Sequence, residues 1–102
     1  MTGQGCNQFA VDGELVELGG LRYTPAGLER VELRIHHVST RQEAGIPRKV
    51  ECEIPALALG AAAKKVSTLR QGQRVKAEGF LAQRSLRSTQ LVMHIDNIIL
   101  LE

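Results

Sequence analysis

At 102 residues the chain holds one compact domain with one hydrophobic core and is too short for two ordinary domains. Hydrophobic residues at 43% and charged residues at 24% exclude a disordered polymer. The lack of any apolar run of about 18 residues, and of a basic-then-apolar leader over Met1 to Gln8, gives no sign of a membrane span or export signal, so a cytoplasmic protein is expected. The net charge of +2 is too small to imply a nucleic-acid partner by itself, so the positions of the charges have to carry that argument.

From Phe9 to Val16 a branched and aromatic segment with Gly13 at its centre predicts a strand interrupted by a bulge or sharp bend, the curvature a barrel needs. Gly19-Gly20 and Thr24-Pro25-Ala26-Gly27 carry the glycine and proline positions of tight turns, so a hairpin connection follows. Val31, Leu33 and Ile35 then alternate with Glu32, Arg34 and His36, the period of a strand with one dry and one wet face. Gly45-Ile46-Pro47 breaks that pattern. Val50, Cys52 and Ile54 restart it against Lys49, Glu51 and Glu53, ending near Pro55 and making Cys52 a small core residue.

Between Leu59 and Leu69, Leu59, Ala62, Ala63, Val66 and Leu69 fall at helical spacing, and Gln71-Gly72 stops the helix. Val75, Ala77, Gly79 and Leu81 resume the two-residue period, and Gln90 to Leu101 supplies a last strand. Three strands, one short helix and two strands is the order of the OB-fold, an all-β barrel of five strands with a helix between the third and fourth. The whole chain, 1–102, is read as that single domain, with no repeat and no tail domain expected.

The familiar catalytic signatures are missing: GxSxG, HExxH, the phosphate-binding GxxxxGK[ST] and the glycine-rich dinucleotide fingerprint. His36 and His37 are adjacent, so on a strand they face opposite ways and cannot jointly hold a metal. Cys6 and Cys52 have neither zinc nor disulfide spacing and are read as reduced thiols. A protein without enzymatic activity, metal or cofactor is expected.

Binding single-stranded nucleic acid needs cations that follow a flexible backbone and flat side chains on which bases stack. Three basic groups fall where OB-folds bind ligands: Arg22 at the first turn, Arg41 with Arg48 and Lys49 between strands two and three, and Arg84 with Arg87 between strands four and five. The stretch from Arg84 to Gln90 has no carboxylate. Arg34, on the wet phase of the second strand, is a further candidate. The competing reading makes these arginines ordinary solubilising surface. Of the three aromatic residues, Tyr23 beside Arg22 is the exposed stacking candidate and Phe9 is a core residue. Phe80 lies off the core phase, to stack a base or to pack under a loop or a partner subunit.

In Thr24-Pro25-Ala26-Gly27, in Ser39 to Arg48 with Gln42-Glu43-Ala44-Gly45, in Cys52 before Ile54-Pro55 and in Gly79-Phe80, the chain resembles the primosomal replication protein N family. These proteins are small OB-fold relatives of the bacterial single-stranded DNA-binding protein, and the resemblance runs almost end to end. It implies a homodimer without enzymatic activity that binds single-stranded DNA at abandoned replication forks. Its implied partners are the primosomal restart helicase, the helicase-loading protein and the single-stranded DNA-binding protein, with no membrane. It also implies DNA contacts at Arg22, Arg48 and the Arg84 to Arg87 loop. The chain departs from the family where a member carries tryptophan at the position of Glu51 and phenylalanine at that of Ile46. Two alternatives therefore stay open: an adaptor whose loops grip a helicase, and a minimal strand-coating protein, although such proteins usually carry a long acid-tipped tail.

Overall fold

The computed structural model describes residues 5–101 and has the expected order, with one small addition. The strands and helix are β1 (Phe9–Leu18), β2 (Arg22–Tyr23), β3 (Glu29–Glu43), β4 (Ile46–Leu59), α1 (Ala61–Val66), β5 (Arg74–Gln83) and β6 (Leu91–Leu100). The addition is β2, two residues laid on the start of β3, so five long strands build the barrel.

Closure runs through β1. Its residues Phe9 to Glu14 pair with β5, while Glu14 to Leu18 pair with β3, so one strand serves two neighbours. Pairings of β5 with β6, of β6 with β4 in parallel, and of β4 with β3 complete the circuit of an OB-fold. A strand that changes partner must bend, and the backbones crowd where it does. A Cβ on Gly13 would overlap the carbonyl oxygen of His36. Gly79, at the register shift between β5 and β6, is held equally close to the carbonyl of His94. The bulge expected at Gly13 lies slightly further on, between Leu15 and Glu17. Gly13 is instead the point of closest approach.

The dry phases of the strands meet inside. Leu15, Val31, Ile35, Val75, Met93 and Ile98 are fully buried, each contributing about 1.5–3 kcal/mol of apolar burial. Helix α1 plugs one end with Ala63 and Val66. It is shorter than the spacing suggested, because Leu59 is the last residue of β4 and Leu69 follows the helix while still packing on the core. Gly60, at φ 63°, turns the chain between strand and helix in a conformation that suits glycine. At the other end Asn7 gives and receives hydrogen bonds with the backbone of Leu81, fastening the start of the chain to β5.

One expectation fails at Gly45-Ile46-Pro47, which does not separate two strands by a loop. Ala44 and Gly45, both with positive φ, form a two-residue turn, and β3 and β4 stay paired from Glu43↔Ile46 back to Arg30↔Leu59. Since β1 pairs with β3 only as far as His36, the outer half of this hairpin projects beyond the barrel as a two-stranded ribbon. The radius of gyration, 14.7 Å against about 13 Å for a compact chain of this length, reflects that projection. Cys52 is accordingly exposed and is not a core residue. The two-residue period runs on along β4, but the core beneath it has ended.

Gly13→Ala is expected to lower unfolding free energy in urea by more than about 2 kcal/mol, because backbone cannot move aside. Gly20→Ala, where a Cβ meets nothing within 4 Å, should change it by less than about 0.5 kcal/mol. Equal stability of the two variants would contradict this account of closure.

Candidate nucleic-acid interface

The wet phase of β3 places Arg30, Glu32 and Arg34 in a row on the outer face of the barrel. Three adjoining depressions run along this row and all share Glu32. The first is bounded by Arg22 and Arg30 beside Gly19-Gly20, the second by Arg30 and Arg84 over Ala56 and Leu57, and the third by Arg34 and Arg84 beside Glu17. Together they make one groove with four guanidinium groups and two carboxylates. Arg30 holds Glu32 at 2.6 Å, and Arg34 lies 3.6 Å from Glu17 and 3.9 Å from Glu53. Arg22 and Arg84 have no ion pair among the described residues, so they are the groove's uncompensated cations. Such a track suits a phosphate backbone, since each guanidinium offers a planar fork of donors.

Of the sequence candidates, the groove unites Arg22, Arg34 and Arg84. Tyr23, 65% exposed, pairs with Glu29 and so lies on the opposite phase of β2 to Arg22, outside the three depressions. Arg87 is exposed in the β5–β6 loop, which is closed by the Arg84 N–H donating to the Gln90 carbonyl at 2.9 Å. Leu86 in the same loop is 99% exposed.

The third expected basic group does not form one cluster. Arg41 faces Arg48 across the ribbon on the side that continues the core face, whereas Lys49 pairs with Thr40 on the side that continues the face of Arg34. Adjacent strand residues point opposite ways, which is why Arg48 and Lys49 are separated. Both are also compensated, Arg48 by Glu43 and Lys49 by Glu51 at 3.7 Å. Glu51 meets His36 Nε2 at 2.8 Å. That hydrogen bond first, and then the charge of Lys49, hold the Glu51 carboxyl below the ordinary carboxylate range. At neutral pH it is a fixed negative point on the ribbon. His37 is engaged separately, with the Asp12 carbonyl at 2.7 Å and the Ser39 hydroxyl at 2.9 Å. No group of three metal-ligating side chains occurs among the described residues.

Phe80 packs neither under a loop nor into the core. Its ring stacks on that of His94, its cross-strand neighbour, with centroids 5.0 Å apart and an angle of 9° between planes. His94 in turn lines the second depression. Two groove residues escaped the sequence reading. Arg30 shares the phase of Arg34 and was legible in that alternation. His94 was not, because the register shift at Glu78/Gly79 hides its pairing with Phe80.

Comparison with known proteins shows the family and the fold. Residues 7–97 match a family model described as another single-strand binding protein family. Over 89 residues the chain is 40% identical to the replication restart protein PriB of Nitrosomonas europaea, covering 87% of this chain and 82% of that one. The structure of PriB from Ralstonia solanacearum superposes with a TM-score of 0.86 at 32% identity, over 96% of this chain and 100% of the other. The single-stranded DNA binding protein from Thermus aquaticus gives a TM-score of 0.78 at 28% identity, over 96% of this chain and 51% of that longer one.

Proposed function

This chain belongs to the PriB family of replication restart proteins, and from that premise we propose that it binds single-stranded DNA through the arginine groove beside β3. A single-strand-binding role in replication restart is what the family supports. The observation that carries the finer reading is the convergence of Arg22, Arg30, Arg34 and Arg84 along one face. Phosphates would lie along that row, with Arg87 meeting the strand where it leaves the groove. The work is binding and positioning, with no bond made or broken, and the protein is read as a non-enzymatic accessory factor.

Within that role the protein would act on partners: it would stimulate the restart helicase, help recruit the helicase-loading protein and meet the single-stranded DNA-binding protein on the exposed strand. It would do so as a homodimer. Supporting the dimer, β1 pairs with β5 alone over Phe9 to Gly13 among the described residues, so that stretch keeps one edge without a strand partner for a second copy, although His37 engages the Asp12 carbonyl there. Light scattering at micromolar concentration should give the dimer mass, and a monomer mass would refute it.

A second reading, the adaptor with little DNA affinity of its own, draws on the ribbon. There Val38 and Ile46 are exposed, Arg48 and Lys49 are paired with carboxylates, and Glu51 replaces a stacking residue. The ribbon is thus better suited to protein than to phosphate. Replacing Arg84 and Arg87 together with alanine decides between the two. If each meets one phosphate, the double variant binds oligo-dT more weakly and its log–log salt slope flattens by about 1.4. An unchanged slope would remove the loop from the interface and favour the adaptor.

A further inference from the structure

We propose that His94 and Leu57 form a slot for one unstacked base of single-stranded DNA, with Phe80 backing the imidazole; the inference rests on the DNA-binding reading above. Leu57 pairs with His94, and His94 with Phe80, so the three side chains stand in one row across β4, β6 and β5 on the outer face. Stacking on Phe80 occupies one side of the imidazole and holds the ring in place. Two depressions, of about 140 Å³ and 170 Å³, meet at Leu57 and His94. The first belongs to the arginine groove and carries Arg30 and Arg84; the second is walled by Leu59 and Phe80, each 37% exposed.

The chemistry of these walls fits a nucleobase better than another ligand. A base has two apolar faces and a polar edge, and joins a phosphate a few ångströms away. The slot offers a flat ring and an aliphatic wall, with Gln83 beside them to meet a polar edge and Arg84 to meet the phosphate. Asp96 puts a carboxylate in the depression away from the arginines, and in the other Glu32 is held by Arg30, so Arg84 is the cation left for the phosphate. A ring already fixed by Phe80 loses little freedom when a base stacks on it. The slot also supplies a stacking platform in a chain with no tryptophan and one tyrosine.

The test compares oligo-dT with a fully abasic strand of equal length, both read by fluorescence anisotropy. The wild type should prefer oligo-dT. In His94→Ala that preference should fall about fivefold or more while affinity for the abasic strand is kept, which also shows that the variant is folded. His94→Phe should restore the preference. An unchanged ratio in His94→Ala, an equal loss of affinity for both strands, or no rescue by phenylalanine would each overturn the slot while leaving phosphate binding in place. A wild type that binds neither strand would remove the DNA-binding reading along with it.

Discussion

Everything in this barrel depends on β1 leaving β5 for β3 at Glu14, within one residue of a glycine packed against the carbonyl of His36. That bend closes the sheet, so five long strands bury a core built largely of Val, Ile, Leu and Ala. Closure also decides where the surface features lie. It aligns the wet phase of β3 with the β5–β6 loop, which brings Arg84 over the row of Arg30 and Arg34. Where β1 stops pairing, the barrel stops too, and the same two strands continue outward as the ribbon.

Charge is distributed differently in these two regions. In the groove, Arg22 and Arg84 keep their charge free of any ion pair among the described residues. On the ribbon the cations Arg48 and Lys49 are matched by carboxylates, and exposed apolar side chains such as Val38 and Ile46 remain between them. Exposed ion pairs of this kind add little stability, about 0–1 kcal/mol. Their consequence is electrostatic: they offset two of the ribbon's cations, while Arg41 keeps its charge without an ion pair among the described residues. On the reading proposed above, a small protein would in this way carry a nucleic-acid face and a protein-binding arm on one sheet.

Much of this was legible in the sequence, because alternation on β3 and β5, the alanine-rich helix and the turn glycines are local signals. The order of elements gave the OB-fold, and Arg22, Arg34 and Arg84 could be read as binding candidates from their places in that order. What escaped depended on distant pairing. Cys52 alternates like a core residue, yet its burial is decided by where β1 ends. Arg48 and Lys49 look like one cluster until the pleat turns them apart, and His94 joins Phe80 only through a shifted register. Compensation of Lys49 by Glu51, two residues away on the same strand, depends on side-chain reach that spacing does not specify.

The most direct test of single-strand binding is anisotropy of labelled oligo-dT at 50 and 200 mM salt, with a duplex of matched length beside it. The four groove arginines, Arg22, Arg30, Arg34 and Arg84, if each neutralises one phosphate, correspond to a slope of about −2.8 and roughly a fiftyfold loss of affinity between those concentrations. The expected result is salt-sensitive binding that favours the single strand. Salt-insensitive binding, equal affinity for the duplex, or no binding by the folded protein would contradict the account.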